Sequence, residues 1–277
     1  MNQQISRNDR HKESRDAQVR RKSAPLDFRI FKGEELDDER IRSLWNFRRR
    51  FVKNKPHVED SIDFARFQSG LRRSKAVVVG ADACGTPHVL LVLVVCDDAE
   101  RRERILNWEY AFFSPEHRGE ARIYVIWWWL IARNVLEVRG WSVWCAAWTY
   151  PASYFVLRGN MPGLVSLQSP GLSPNARDAL LRFGRDITDG AFDTSTGVRN
   201  MPTIPLEAID DRPNRALMKE AHREYITANP RWAEGYTLAV VAPVSAISLG
   251  SIALTVARRS LRTLRKAKTK KNHTRKD

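Results

Sequence analysis

The chain has 277 residues, of which 43% are apolar, and it carries a formal net charge of +15. This length suits one sizeable domain with extensions or two small domains, and the apolar share excludes a chain without a packed core. Three cysteines, an odd number scattered through apolar runs, favour reduced, buried thiols over a disulfide framework, and we expect no metal site. The cysteines are Cys84, Cys96 and Cys145. A polar, charged stretch follows Met1, so we expect no secretory signal peptide.

Much of the positive charge lies at the chain ends. Residues 258–277 hold ten Lys or Arg against one acid. A basic tail favours polyanions such as nucleic acid, an anionic membrane surface or an acyl carrier protein, and the alternative is a solvated tail without a specific partner. We expect no specific nucleic-acid binding, because no helix-turn-helix, zinc or aromatic RNA-binding pattern accompanies the charge.

The first quarter of the chain predicts a strand and two helices. Residues 1–25 are charged, lack apolar periodicity and predict a disordered basic arm. Residues 26–32 alternate as a strand, Asp37 or Asp38 can cap a helix, and residues 61–72 predict a second amphipathic helix. The far face of the first helix is expected to carry the basic residues Arg48, Arg49, Arg50 and Lys53.

The middle of the chain is rich in strand signals. Residues 88–96 are a continuous run of mostly branched apolar residues, typical of a central strand buried on both faces. Residues 123–138 predict a helix apolar enough to be buried on most sides, which Gly140 ends. Further strands are expected at residues 76–79, 105–113 and 141–148, and further helices at 151–158, 174–183 and 214–228.

This order predicts a mixed α/β (α+β) fold with a central sheet flanked by helices. We expect a core over residues 26–168. A helical extension and linker over 169–235, an apolar segment over 236–257 and a basic tail over 258–277 follow it. No internal repeat is present.

The polar loop over residues 113–122 is the strongest chemical signal, because it joins an apolar strand to an apolar helix. Unpaired backbone N–H groups and the dipole at a helix start attract anions. Arg118 adds a planar cation suited to phosphate, and Gly119 permits close backbone approach. His117 is expected to be exposed and to frame this site. The alternative is an ordinary exposed turn. The candidate binding residues are Phe113, His117, Arg118, Gly119, Glu120, Ala121 and Arg122.

The segment Pro-Glu-His-Arg-Gly-Glu-Ala at 115–121 resembles the donor loop of the GNAT acyltransferase superfamily. The family pattern is roughly Arg/Gln-x-x-Gly-x-Gly/Ala, and the predicted element order over residues 26–167 is similar to the family core. The resemblance implies an acetyl-CoA or longer acyl-CoA donor and an amine acceptor. Aligned on Arg118, the two glycine positions hold Ala121 and Ile123, and a branched side chain at the second departs from the pattern.

A sub-branch is also indicated. GNAT-like autoinducer synthases and N-acyl amino acid synthases take their acyl group from acyl carrier protein and relax this loop. The run Trp45-Asn-Phe-Arg-Arg-Arg50 resembles their arginine-containing first helix. Such a likeness implies a carrier-protein donor as an alternative to CoA.

Two residues are candidates for proton transfer. Family members often place a carboxylate base on the strand before the loop, and Glu109 is the only acid among its apolar neighbours there. The resemblance implies a tyrosine acid on the helix after the next strand, which predicts Tyr154. If Phe155 holds that position instead, Tyr150 is the alternative.

Residues 236–257 contain 22 residues without a charge, long enough to cross a hydrocarbon layer of about 30 Å as a helix. The competing prediction is a last core strand over residues 236–242 followed by a helix with a basic end. We expect a cytoplasmic protein, and the surface of the inner membrane leaflet is a candidate attachment site for residues 236–277. A catalytically degenerate GNAT-like domain, acting as a membrane-associated scaffold, is the alternative to an enzyme.

Overall fold

In the computed structural model, the described residues are 25–118, 120–187, 192–206, 216–245 and 249–250. Within these ranges only the backbone is described for residues 121, 186–187 and 216–219. The predicted N-terminal arm, apart from Pro25, and the predicted basic tail lie outside the described residues. Gly119 also lies outside them.

An eight-stranded sheet forms the centre of the described chain, in the order β1-β3-β4-β5-β6-β10-β8-β7. Neighbouring strands are antiparallel except for β5 and β6, which are parallel. Two further short strands, β2 and β9, pair with each other outside this sheet. The strands are β1 Asp27–Phe31, β2 Val52–Asn54, β3 Ala76–Ala81, β4 Pro87–Asp98, β5 Glu103–Phe113, β6 Ser142–Thr149, β7 Phe192–Asp193, β8 Val198–Asn200, β9 Thr203–Pro205 and β10 Tyr236–Val244.

Helices cover both faces of the sheet, as the predicted fold class requires. The helices are α1 Asp38–Arg48, α2 Asp60–Arg72, α3 Ala121–Glu137, α4 Pro151–Asn160, α5 Pro174–Ile187 and α6 Ala216–Ala228. Side chains alternate across each strand, so successive residues enter different cores. One face packs against α1 and α2 at one end and α5 at the other, and the opposite face packs against α3, α4 and α6.

Local signals explain most element boundaries. The Asp37 carboxylate accepts a 2.7 Å hydrogen bond from the backbone N–H of Arg40 and so caps α1. The apolar run of β4 is buried on both faces for most of its length, as predicted for a central strand. The prediction of a mixed α/β fold with a central sheet flanked by helices is therefore confirmed.

A β-bulge interrupts the pairing of β4 with β5. Val92 pairs with Tyr110 and Leu93 with Trp108, so Glu109 is the extra residue on β5. The parallel pairing of β5 with β6 ends just before this point, at Asn107 and Ala146. The two strands therefore continue as unpaired neighbours beyond the bulge.

The apolar C-terminal segment joins the sheet. Tyr236–Val244 forms β10, which pairs with β6 from Leu238–Thr149 to Val244–Val143. A single membrane helix over residues 236–257 is therefore wrong, because the first nine of these residues are a strand. Among the described residues, no helix combines the length and apolar character needed to cross a membrane.

Two expectations about surface and core are corrected. Cys84 is exposed, because it lies in the β3–β4 turn rather than in an apolar run. Arg48 does not belong to the basic outer face of α1. Its guanidinium is buried against α2, where Asp63 neutralises it.

Candidate functional site

The separation of β5 from β6 places polar side chains inside an otherwise apolar sheet. Asn107 lies at the last parallel pair and is fully buried. Its side-chain amide nitrogen and oxygen make no hydrogen bond within the described structure. Because a buried amide without a partner costs free energy, Asn107 is a candidate for contact with a ligand.

Glu109 follows two residues later, at the bulge. One oxygen of its carboxylate accepts a 3.0 Å hydrogen bond from the Arg73 guanidinium, and the other, Oε2, is buried without a hydrogen-bond partner. The side chain lies against α2 at Gly70, where an added Cβ would stand 2.9 Å from Glu109 Oε1. Glycine at this position therefore makes room for the carboxylate.

The pKa of Glu109 is raised because burial penalises its charged form, although the Arg73 charge opposes this effect. A raised pKa makes a carboxylate a better proton acceptor near neutral pH. The structure thus places the sequence-predicted base at the point where the sheet opens.

A buried ion pair lies near Tyr110, the residue that follows Glu109. The Arg48 guanidinium donates two hydrogen bonds to Asp63, of 2.7 and 3.2 Å. The same guanidinium lies 4.8 Å from the Trp45 ring and 5.9 Å from the Tyr110 ring. Tyr110 follows Glu109 on β5, so the pair connects α1 and α2 to the strand that carries the candidate base.

The two candidate proton donors have different surroundings. Tyr154 is buried against Tyr225, and burial, with the nearby Glu224 charge, raises its pKa to about 12. Tyr150 follows β6, and its hydroxyl donates a 2.9 Å hydrogen bond to the Thr203 carbonyl. Burial also raises the pKa of Tyr150, while the charges of Arg48 and Arg199 oppose this rise. Arg199 also acts on Glu109, so Tyr150 shares a charged neighbour with the candidate base.

The predicted anion loop leads from β5 into α3. Phe113 ends β5 opposite Val89, and a 3-10 turn over Pro115–His117 follows. Arg118 is exposed at the end of this turn. Ala121 begins α3, and the side chain of the preceding Glu120 makes no cap hydrogen bond. The backbone N–H of Ile123 donates to the Glu120 carbonyl at 3.2 Å, so the N–H groups of Ala121 and Arg122 are the ones that a ligand could meet.

Three residues of this loop occupy positions that the sequence did not predict. Arg122 donates hydrogen bonds to Glu120, at 2.7 Å, and to the Leu26 carbonyl, at 3.1 Å, so it ties α3 to the start of β1. His117 is buried, which contradicts the expectation of an exposed residue that frames the anion site. Ile123 is buried in the core beneath α3, so its branched side chain points away from the loop surface.

Sequence reasoning missed two residues of this site. Asn107 is the one amide within the apolar run Ile105-Leu106-Asn107-Trp108, and this departure from the pattern was a usable signal. Arg73 gave no such signal, because its contact with Glu109 joins residues 36 positions apart.

Comparison with known proteins gave structural matches alone. No family model and no curated protein matches the chain. It is similar to Escherichia coli ElaA, at 10% identity and a TM-score of 0.35, over 52% of this chain and 90% of that chain. It is similar to aminoglycoside N-acetyltransferase AAC(6')-Iy in complex with CoA, at 14% identity and a TM-score of 0.34, over 50% of this chain and 87% of that chain. It is also similar to a GNAT superfamily phosphinothricin acetyltransferase from Sinorhizobium meliloti in complex with AcCoA. The identity is 17% and the TM-score 0.34, over 52% of this chain and 80% of that chain.

The fold assignment rests on the order and pairing of this chain's own elements. If the short β2 is left aside, the chain runs from one strand through two helices and three antiparallel strands to the loop. After the loop come a helix, a strand parallel to β5, and a second helix. This is the order that the resemblance of the loop implied. The described residues therefore have the order and pairing of elements that a GNAT fold has.

Proposed function

We propose that the protein transfers an acyl group from an acyl-CoA thioester to the amine of a small acceptor. The observation that carries this proposal is the opening between β5 and β6. Their pairing ends at Asn107, and the partly buried carboxylate of Glu109 lies just beyond it on β5. A thioester carbonyl and an attacking amine both require a site that excludes bulk water while keeping polar groups available.

The chemistry uses Glu109 at this opening and a tyrosine from the segment after β6. Glu109 takes a proton from the acceptor ammonium group, directly or through a water molecule, and so frees the nitrogen lone pair. The nitrogen attacks the thioester carbonyl, the carbon–sulfur bond breaks, and the thiolate leaves with the bonding electrons. The nitrogen loses its second proton to solvent as the amide forms, and solvent returns a proton to the phenol that protonates the thiolate. The phenol of Tyr150 or Tyr154, which burial keeps protonated, can supply the proton that the thiolate takes up.

The donor's phosphates fit the loop before α3. Backbone N–H groups at the start of a 17-residue helix and the exposed Arg118 supply positive potential without a buried charge. The departure at Ile123 does not oppose this fit, because that side chain is buried in the core. That burial also removes the main ground for the scaffold alternative.

Donor binding tests this proposal. Arg118→Glu should weaken acetyl-CoA binding at least tenfold in a calorimetric titration, because a negative charge replaces a phosphate partner. The matched control is Arg177→Glu, since Arg177 is an exposed arginine in the first turn of α5. It should bind acetyl-CoA like the unmodified chain. Failure of the unmodified chain to bind acetyl-CoA or a long-chain acyl-CoA contradicts the proposal.

The pH profile tests the base. Arg73→Gln removes the charge that opposes the rise in the Glu109 pKa, so this pKa should rise further. Because the base acts in its deprotonated form, the ascending limb of kcat/KM should move to higher pH. Arg72→Gln is the control, since Arg72 binds Asp38 instead of Glu109. If the ascending limb of kcat/KM moves equally in both variants, or in neither, Glu109 is not the group whose ionisation sets that limb.

A further inference from the structure

A second cluster of polar side chains joins the donor loop to β4, and the inference drawn from it does not rest on the proposed acyl transfer. His88 is the second residue of β4, while Glu116 and His117 belong to the 3-10 turn that follows β5. One ligand atom from each of these three residues lies within 4.8 Å of the others. The two imidazole rings are 5.0 Å apart between centroids.

The buried member of the cluster, His117, has a ring nitrogen that makes no hydrogen bond among the described residues. The side chain of His117 is only 3% exposed, and its Nδ1 makes no hydrogen bond in the described structure. The closest acidic oxygen, Glu120 Oε2, lies 3.5 Å away without hydrogen-bond geometry. A buried ring nitrogen without a partner costs free energy, so something is expected to occupy its lone pair or accept its proton.

His88 is oriented by acids on both sides. Its Nε2 lies 3.3 Å from Asp82 Oδ2, and its Nδ1 lies 3.2 Å from both Glu116 Oε1 and Ser114 Oγ. Backbone N–H groups of Cys84 and Thr86 hold Asp82 through its other oxygen. A neutral His88 that donates Nε2–H to Asp82 turns its Nδ1 lone pair toward the Glu116 carboxylate. A cation between them would offset the repulsion between this lone pair and the carboxylate, and the Ser114 hydroxyl is the other group that can meet Nδ1.

We propose that His88, Glu116 and His117 bind a divalent transition-metal ion, with zinc as the best match. Two imidazoles and one carboxylate form a donor set that zinc takes in proteins, and water can fill the fourth position. Tetrahedral bonds near 2.0–2.1 Å place ligand atoms about 3.3 Å apart. His88 Nδ1 and Glu116 Oε1 are 3.2 Å apart, and the ligand atoms of all three residues lie within 4.8 Å of one another. Asp82 does not bind the ion but fixes the tautomer and orientation of His88.

This site would act on the loop rather than on the chemistry. The ion would join the turn at Pro115–His117 to the first residues of β4. This turn ends one residue before Arg118, so the ion would fix the backbone that positions Arg118. The proposal departs from the expectation of no metal, which rested on the scattered cysteines. Histidines 29 positions apart carry no ligand spacing that a sequence motif could show.

Zinc binding by the full-length chain without a histidine tag provides the test. After chelation and buffer exchange, zinc titration against a chromophoric competitor should give one ion per chain, and zinc should raise the melting temperature. Glu116→Gln should weaken binding at least tenfold. The Glu116 side chain is 45% exposed, so this variant is expected to fold. Cobalt bound in place of zinc should give visible absorption bands, and the spectrum of the cobalt-loaded Glu116→Gln variant should differ from that of the unmodified chain.

Two control variants exclude other zinc ligands. His57→Gln removes an exposed histidine outside the cluster, and Cys84→Ser removes the exposed thiol beside Asp82. Both should bind zinc like the unmodified chain. The proposal is overturned if zinc does not bind, or if Glu116→Gln binds it as well as the control variants do. A melting temperature lowered by Glu116→Gln without any zinc effect would overturn the proposal and instead indicate a purely structural contact between Glu116 and His88.

Discussion

Replacing Glu109 with Gln is expected to lower kcat/KM for amine acylation by about 10²–10⁴-fold, the usual contribution of a positioned general base. The amide keeps the size of the side chain but cannot accept the ammonium proton. Steady-state assays with saturating acyl-CoA measure this loss. Glu100→Gln, an exposed change in the β4–β5 turn, is the control and should keep full activity.

The same substitution should not destabilise the fold at alkaline pH. Because burial raises the pKa of Glu109 in the folded chain, its stabilising contribution is complete below the unfolded pKa. That contribution is lost as the pH rises through the folded pKa, where the buried carboxylate must ionise. At pH 8 the neutral amide avoids this cost, so Glu109→Gln should melt at the same temperature as the unmodified chain or higher.

Activity and stability together decide the role of Glu109. A variant that is inactive and at least as stable at pH 8 identifies a residue retained for function at the expense of stability. Unchanged kcat/KM would remove Glu109 from the mechanism. Loss of activity together with a fall in melting temperature would instead indicate a structural role for the Arg73–Glu109 pair.

The largest effect on stability is expected at the buried pair of α1 and α2. Asp63→Ala leaves the Arg48 guanidinium buried without its partner, which should lower the free energy of unfolding by about 3–5 kcal/mol. Both side chains of the pair are at most 5% exposed, so water cannot replace the lost carboxylate. Urea unfolding measures this change in the free energy of unfolding. The curves are fitted with one m-value, the dependence of that free energy on urea concentration, for all variants.

The same two helices provide a matched control. Arg49 and Asp60 form an ion pair of 2.6 Å at the surface, with side chains 37% and 65% exposed. Asp60→Ala should therefore have a far smaller effect than Asp63→Ala, because solvent screens the remaining charge. Combining Arg48→Met with Asp63→Leu should recover much of the lost stability, since neither charge then remains buried. Equal effects of Asp60→Ala and Asp63→Ala would contradict this account.

The sequence by itself predicted the main elements, because their signals are local. Alternating apolar residues, the long apolar run of β4 and the cap at Asp37 depend on neighbours a few positions apart, and the structure shows these elements. The same holds for the loop that joins β5 to α3 and for the presence of Glu109 on its strand. The roles of Glu109 and Arg118 stay predictions.

Only the tertiary structure decided which polar side chains are buried and what they meet. Three consecutive arginines look equivalent in the sequence, but the rotation of α1 against α2 buries Arg48 and leaves Arg49 at the surface. The bulge that opens the sheet at Glu109 depends on the register between β4 and β5, and β10 joins the sheet by pairing with β6. His117 meets His88 because distant segments pack together. Such contacts depend on the three-dimensional path of the chain, which residue spacing alone does not encode.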